Sequence, residues 1–451
     1  MTPDARLQTV IELLEQVDST GRPADRVVHD ALRGRRYIGS TDRREVLERV
    51  FWQLRRKARL DWWLAELGVF IEPRARVLAA LALCEDKNVA ELAQLFDGQR
   101  YGPPKLGDKE KRWLKALEGQ ALDDPRQPEG VRGECPGWLY PRFGPQAEAR
   151  LRALIEGAPL DLRVNELKAD RGEAIERLRA EGIEAQPTPF SPLGLRLPGR
   201  VNLAETETFK KGIVEVQDEG SQLVALLVAA ESGQRVVDFC AGAGGKTLAL
   251  AARMKNGGSI QALDIMQGRL DRAAQRAKRA GAHNIIRRLL KSQRDPWVKR
   301  QRRKADRVLI DAPCSGTGAW RRNPDARWNQ TETGLTELID LQAEILDSAW
   351  RMVKPGGRLI YATCSLLPEE NERQVQAFLE THEDFTLLPW RNVWNAAIGT
   401  PPPEGEGEML LLSPELHGTD GFFAAILQRK AEPPKEKAVK AEEAEAETAP
   451  E

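Results

Sequence analysis

The sequence predicts an α/β protein in which a mostly parallel, doubly wound sheet follows a small α+β module and an all-α N-terminal region. Three observations support this prediction. Apolar residues recur at helical spacing through roughly the first 130 residues. A strand–helix–strand pattern follows between residues 161 and 190. Strand patterns then alternate with helical segments from about Ser221, as in a parallel sheet with helices on both faces.

The N-terminal region, residues 1–130, is predicted to be all helical. Two apolar stripes have helical spacing, and they comprise Leu7, Val10, Ile11 and Leu14, then Val46, Val50, Phe51 and Leu54. Asp42 and Glu45 have the spacing of a capping pair, so we expect the second of these helices to begin there. Trp62 and Trp63 stand among leucines, which favours core positions over surfaces that stack bases.

The second region, residues 131–212, is predicted to hold a linker helix and a small, RRM-like α+β module. The stretch CPGWLYPRFG is rich in proline and glycine and leads into a helix. Leu162 and Val164 alternate as in a strand, and Ile175 and Leu178 mark the face of the helix that follows.

The third region, residues 213–430, contains the strand candidates RVVDFC, SIQALDI, DRVLIDA, RLIYATC, FTLLPW and GFFAAILQR. Helical segments separate the first four, which predicts parallel strands joined by crossover helices. The last two have no helix of normal length between them, so an antiparallel final strand is consistent with the pattern. Residues 431–451 are almost entirely Lys, Glu, Ala and Pro, and we expect a disordered tail.

Composition argues against several classes of protein. Hydrophobic residues make up 41% and charged residues 30% of the 451, an ordinary soluble composition. We find no run of about 18 apolar residues and no signal peptide, so we expect no membrane segment and a cytoplasmic location. Five scattered cysteines without a CxxC pair, and only four histidines, argue against disulfides and a metal site.

The net charge of the chain is zero, but its basic residues form clusters that could bind phosphates. A solvated helix face explains any one of these clusters equally well.

A glycine-rich turn in VVDFCAGAGGKTLALAA connects a predicted strand to a helix. It fails the P-loop pattern because Cys240 occupies the position of the first glycine, and it fails the dinucleotide pattern because the third glycine position is Thr247. Asp264 ends the next strand, where a carboxylate suits ribose hydroxyls. A nucleoside without phosphates points to S-adenosylmethionine (SAM), while the alternative is a structural turn and a surface carboxylate.

Two cysteines follow predicted strands, Cys314 in DAPCSG and Cys364 in YATCSL. Carbon 5 of a cytosine becomes nucleophilic only after a group adds to carbon 6, and a thiolate adds and leaves well. Asp311, shortly before Cys314, would lie beside the cytosine and hydrogen-bond its N3 and exocyclic amine, so that addition draws electrons into the ring. Two such cysteines favour pyrimidine carbon-5 methylation, although free cysteines are also common as buried packing residues.

Four of these stretches, FCAGAGGKT, DAPCSGTG, YATCSLLPEENE and GTDGFFAAIL, resemble the motifs of the RsmB/NOP (Sun) family of RNA cytosine-5 methyltransferases, in the same order and spacing. The segment DLRVNELKADRGEAIERLRAEGI is similar to the module that precedes the catalytic domain in this family. The helical region resembles, at the level of pattern, the NusB-like RNA-binding domain of the bacterial ribosomal RNA branch. The resemblance implies a Rossmann-like, SAM-dependent methyltransferase domain.

The resemblance also implies roles for individual residues. Cys364 would be the nucleophile and Cys314 would assist release of the product, whereas DNA cytosine-5 methyltransferases use the cysteine after proline as the nucleophile. Asp311 would be the third catalytic residue, together with the two cysteines. The implied SAM contacts are Cys240, Ala241, Gly242, Ala243, Gly244, Gly245, Lys246, Asp264, Asp295 and Asp311.

The leading hypothesis is therefore a SAM-dependent RNA cytosine-5 methyltransferase, with small-subunit (16S) ribosomal RNA or its assembly particle as partner, and no metal or membrane. The basic residues expected to capture RNA are Arg35, Arg36, Arg55, Arg56 and Lys57. The alternatives are a methyltransferase of another class, acting on tRNA, DNA, protein or a small molecule, and a non-catalytic ribosome-assembly factor on the same fold.

Overall fold

A computed structural model describes residues 1–35, 37–199 and 201–432 of the chain. Arg36, Arg200 and residues 433–451, which include most of the predicted tail, lie outside the described residues.

The N-terminal region is helical, as predicted. Its helices are α1 (Pro3–Thr20), α2 (Ala24–Gly34), α3 (Ser40–Arg55), α4 (Lys57–Glu66), α5 (Pro73–Cys84), α6 (Val89–Leu95), α7 (Asp108–Leu117) and the short α8 (Glu129–Arg132). The predicted apolar stripes supply much of a common core, and Trp63 is buried in it.

The predicted capping role of Asp42 is wrong, because α3 already begins at Ser40. The Asp42 carboxylate instead accepts hydrogen bonds from the N-terminal ammonium of Met1 at 2.8 Å and from Arg6 at 2.9 Å. Asp42 therefore ties the start of the chain to α3.

A linker helix, α9 (Ala147–Ile155), leads to the small module, which contains β1 (Leu160–Val164), α10 (Arg171–Ala180), β2 (Gln186–Pro187), β3 (Gly194–Leu197), α11 (Glu207–Lys210) and β4 (Val214–Val216). The strands form an antiparallel sheet in the order β2-β3-β1-β4. Because β4 pairs with β1, this sheet extends past residue 212, where the sequence pattern placed the boundary.

The C-terminal domain is a doubly wound α/β sheet. Its elements are α12 (Glu219–Leu227), β5 (Arg235–Asp238), α13 (Gly245–Arg253), β6 (Ser259–Asp264), α14 (Gln267–Ala280), β7 (Ile285–Leu289), α15 (Pro296–Arg300), β8 (Ala305–Asp311), α16 (Glu332–Ala349), β9 (Val353–Thr363), α17 (Glu372–Thr381), β10 (Phe385–Leu388), α18 (Trp390–Ala397), β11 (Leu410–Leu412), α19 (Pro414–His417) and β12 (Phe422–Arg429).

The strand order is β10-β12-β9-β8-β5-β6-β7, with β11 paired to β12. Strands β5 to β9 pair in parallel, and β12 is antiparallel to β9, β10 and β11. The order reverses between β5 and β8, where the crossovers turn to opposite sides. Ligands bind at such a switch point, beyond the carboxyl ends of the strands.

The helical region packs against the segment that follows Cys314. The Trp328 indole N–H donates to the Leu54 carbonyl at 3.4 Å, and the Ala24 amide donates to the Asp325 carboxylate at 2.9 Å. Arg327, within the same segment, is fully buried. The N-terminal helices therefore contact the C-terminal domain directly. Among the described residues, no helix is both long and apolar enough to cross a membrane.

Candidate active site

The glycine-rich turn lies between β5 and α13, at the switch point of the sheet. Gly242 and Gly244 have φ angles of 55° and 81°, in the left-handed region that glycine tolerates best. A Cβ atom at Gly244 would also lie 3.0 Å from the Cβ of Ala273 on α14. Gly244 is therefore required by both the backbone conformation and the packing of the turn.

A cavity of about 560 Å³ opens beside this turn. Most of the expected cofactor contacts line it, namely Cys240, Ala241, Gly242, Ala243, Gly245, Lys246, Asp264 and Asp311. Gly244 caps α13 and is not part of the lining. The volume lies within the range of small-molecule sites, which is roughly 300–1,000 Å³.

Asp264 is buried at the end of β6, and its carboxylate accepts backbone hydrogen bonds from Gly242 at 2.9 Å and from Met266 at 2.7 Å. A carboxylate accepts about four hydrogen bonds, so two positions remain for ribose hydroxyls. Asp264 therefore shapes the glycine turn and keeps the capacity to bind a nucleoside.

Asp295 does not occupy the position expected of a cofactor contact. Its carboxylate accepts from the Trp297 amide at 2.8 Å and from the Lys291 amide at 3.0 Å, which caps α15. The polar side chain from this segment that lines the cavity is Gln293. Local capping occupies Asp295, so Gln293 replaces it as the candidate.

The small module reaches the glycine turn, a feature that sequence reasoning missed. Arg163 on β1 is buried and donates to the Gly245 carbonyl at 2.8 Å and to Gln217, which itself lines the cavity. Arg276 on α14 donates to the Ala243 carbonyl at 2.9 Å and to Glu215 on β4 at 3.1 Å. The turn is thus linked to the small module directly by Arg163, and through Arg276 of α14, which also bonds Glu215 of β4. In the sequence, the signal for this contact is Arg163 between Leu162 and Val164, in a strand that also carries Asp161.

The two strand-end cysteines meet in the structure. The Sγ atoms of Cys314 and Cys364 are 3.5 Å apart, although the residues are 50 positions apart in sequence. The hydrogen bond with Cys364, followed by burial, raises the pKa of the Cys314 thiol well above its ordinary value. Cys314 is therefore favoured in its protonated form.

Lys246 pairs with Asp311 at the same edge of the sheet, with 2.7 Å between Nζ and Oδ2. Burial alone would lower the pKa of Lys246. The Asp311 carboxylate, with a smaller contribution from Cys364, outweighs burial, so the pKa of Lys246 is raised. The Lys246 ammonium therefore stays charged and neutralises the Asp311 carboxylate.

Cys240 also lines the cavity, but burial raises the pKa of its thiol well above the ordinary value. A neutral thiol in this position suits packing against a ligand rather than nucleophilic attack.

The basic residues expected to capture RNA are mostly engaged within the protein. Carboxylates hold three of them, in the pairs Arg35–Glu12, Arg56–Glu156 and Lys57–Asp61. Arg55 donates to the carbonyl of Arg321 at 3.1 Å, and Arg36 lies outside the described residues. Binding phosphates with these side chains would require breaking these contacts, which weakens the expectation for this cluster.

Comparison with known proteins gives matches over most of the chain. A family model described as 16S rRNA methyltransferase RsmB/F matches residues 225–428, and a ferredoxin-like domain model of RsmF/B-like methyltransferases matches residues 135–204. A ribosomal RNA small subunit methyltransferase B from Photorhabdus laumondii is 32% identical over 84% of each chain. The protein of the same name from Salmonella newport is 36% identical over 65% of this chain and 66% of its own length.

Solved structures share this architecture. The crystal structure of PH0851 has a TM-score of 0.76 and 28% identity, and the match covers 95% of this chain and 99% of that one. A methyltransferase homologue from Pyrococcus horikoshii has a TM-score of 0.57 and 27% identity, over 67% of this chain and 97% of its own. Together with the curated relatives, these matches show that the chain belongs to the RsmB/NOP family of methyltransferases.

Proposed function

We propose that this protein transfers a methyl group from SAM to carbon 5 of a cytosine in RNA, with 16S ribosomal RNA as substrate. The observation that carries the proposal is the pair of thiols 3.5 Å apart beside Lys246 and Asp311, next to a nucleoside-sized cavity. The substrate follows from the names of the relatives, which are small-subunit ribosomal RNA methyltransferases. A cytoplasmic location fits such a substrate and belongs to the same proposal.

The glycine turn and Asp264 would hold SAM in this cavity. SAM supplies an electrophilic methyl group. Asp264 would accept the ribose hydroxyls, and Arg163 and Arg276 would keep the turn in its binding conformation.

Cys364 would begin the reaction by forming a sulfur–carbon bond to C6 of the cytosine. The electron pair of the C5–C6 bond then becomes available at C5, which takes the methyl group. Lys246 would stabilise the thiolate before attack, and the second oxygen of Asp311 would accept from the cytosine amine because Lys246 occupies the first.

Cys314 would assist the second half of the reaction. The proton on C5 must leave, the C5–C6 double bond must reform, and the sulfur–C6 bond must break to release Cys364. Cys314 lies within contact distance of the Cys364 sulfur, so it can act where this bond breaks.

The test replaces each cysteine separately. Cys364→Ala should abolish both methyl transfer and any covalent RNA adduct, whereas Cys314→Ala should accumulate an adduct that survives denaturing electrophoresis with SAM and RNA present. Cys84→Ala, at an exposed cysteine on α5, is the matched control and should retain turnover. Bisulfite sequencing of 16S RNA from cells without the protein locates the target base.

Two outcomes would contradict the proposal in different ways. An adduct in Cys364→Ala but not in Cys314→Ala would reverse the roles of the two thiols. Full turnover in both variants would show that the cysteines are packing residues, and the assembly-factor alternative would then gain support.

A further inference from the structure

A buried carboxylate, Glu370, links the loops that carry the two cysteines. Glu370 lies between β9 and α17 and has no solvent exposure. Its side chain accepts from the Ser315 amide at 2.8 Å and from the Ser315 hydroxyl at 2.5 Å. It also accepts from the Ser365 hydroxyl. Ser315 and Ser365 directly follow Cys314 and Cys364, so one carboxylate binds the residue after each thiol.

Glu370 is itself anchored on both sides. The Tyr361 hydroxyl on β9 donates to the Glu370 carbonyl at 2.7 Å. Gln342 on α16 donates to the Glu370 carboxylate at 2.9 Å and to the carbonyl of Pro313 at 3.0 Å. These contacts fix the carboxylate relative to the sheet, and they also hold the residue before Cys314.

A carboxylate without solvent contact is costly to bury unless donors surround it. Glu370 has four such donors, two of them on the backbone and side chain of Ser315. Hydrogen bonds to a charged acceptor are short and about twice as strong as neutral ones. The arrangement therefore strongly constrains both serines, and through the peptide chain the adjacent cysteines.

We propose that Glu370 is a positioning residue that holds Cys314 and Cys364 at the spacing the reaction requires. The catalytic part of this inference rests on the proposed function, because it assumes that both thiols act on the RNA. The geometric part does not, because the spacing of two thiols is measurable without substrate.

The experiment compares wild type with Glu370→Gln, Ser315→Ala and Ser365→Ala. Glu369→Gln is the matched control, since the neighbouring Glu369 pairs with Arg142 and Arg373 and contacts neither serine. In the first measurement, diamide oxidises the two thiols to a disulfide in the absence of RNA, and mass spectrometry follows the Cys314–Cys364 linked peptide. We expect wild type and Glu369→Gln to couple rapidly, and the other three variants to couple several-fold more slowly.

The second measurement is the kinetics of methyl transfer. Misplacement of a reacting group by about 1 Å costs on the order of 100-fold. Glu370→Gln should therefore lower kcat by roughly 10- to 100-fold while the KM for RNA and the affinity for SAM stay within about twofold. A general loss of folding would instead lower SAM affinity and thermal stability together. If Glu370→Gln does not fold, the single serine variants, which retain the buried carboxylate, decide the outcome in the same two assays.

The two proposals fail differently. Unchanged thiol coupling and unchanged kcat in folded Glu370→Gln, or in both serine variants, would overturn the positioning role. Slower coupling combined with a wild-type protein that does not methylate RNA would leave the geometric role intact and refute the proposed function, and with it the catalytic part of the inference.

Discussion

Arg163 of the small module hydrogen-bonds the glycine turn. From this contact we predict that Arg163, which lies outside the methyltransferase sheet, controls the affinity for SAM. Arg163→Met keeps most of the aliphatic length of the side chain and removes the donors to Gly245 and Gln217. Burial lowers the pKa of Arg163 to about 10, so the wild-type guanidinium is still charged at neutral pH. The substitution therefore removes a charged donor from the partly buried carbonyl of Gly245.

The hydrogen bond from Arg163 to the glycine turn determines how much SAM affinity Arg163→Met should lose. A hydrogen bond from a charged donor contributes about 1.5–3 kcal/mol. If about 2 kcal/mol of this holds the turn in its binding conformation, its loss lowers the population of that conformation, and SAM affinity, by roughly 30-fold. Arg276 still holds the Ala243 carbonyl in the variant, so we expect a smaller loss of about tenfold.

Calorimetric titration with SAM measures this effect. Arg163→Lys keeps a charge with fewer donors and should fall between wild type and Arg163→Met. Arg177→Met, at an exposed arginine of α10, is the control and should bind as wild type does. Unchanged SAM affinity in a folded Arg163→Met protein would refute the idea that the small module supports the cofactor site.

Three further predictions concern carboxylates and the lysine of the site. Asp264→Asn should weaken SAM binding by about 2–3 kcal/mol, because the charge that accepts the Gly242 amide and the ribose is lost; equal calorimetric affinities would rule this out. Lys246→Met should lower the rate of single-turnover methylation roughly 100-fold, because the variant lacks the ammonium that pairs with Asp311 and would stabilise the thiolate. A wild-type rate in this variant would contradict that role. Burial raises the pKa of Asp238 to about 7, so the stability it contributes is complete below its unfolded pKa and is lost as pH rises through about 7. The melting temperature of Asp238→Asn should therefore fall less than that of wild type between about pH 4 and pH 7, and parallel curves would disprove it.

The architecture was predictable where strands are buried on both faces. Strands such as β5, β6, β8 and β9 appear as short apolar runs between helical patterns, and the carboxyl ends of parallel strands meet at one edge. Motifs at the strand ends were therefore enough to predict that Asp264, Asp311 and the two cysteines come together. The pattern allowed an antiparallel final strand, and β12 is antiparallel to both β9 and β10, although α18, β11 and α19 lie between β10 and β12 in the chain.

The missed features depend on contacts that a local pattern does not contain. Strand β7 was not predicted because it is an edge strand and four of its five residues are exposed, so it has no alternation to detect. Asp295 was chosen for its charge, but the turn before α15 uses that charge for capping. Arg163 acts on a carbonyl 82 positions away, and Glu370 binds a serine 55 positions away. Only the folded chain brings such partners together.

The contact between the helical region and the segment after Cys314 limits how the protein can be dissected. A chain starting near residue 135 would lose Leu54 and Ala24, the partners of Trp328 and Asp325. Such a truncation would change the surroundings of a catalytic loop as well as any RNA surface on the helices. A drop in activity after truncation would thus have two indistinguishable causes. Charge substitutions on the exposed faces of the intact helices separate RNA capture from catalysis, because they leave this internal contact in place.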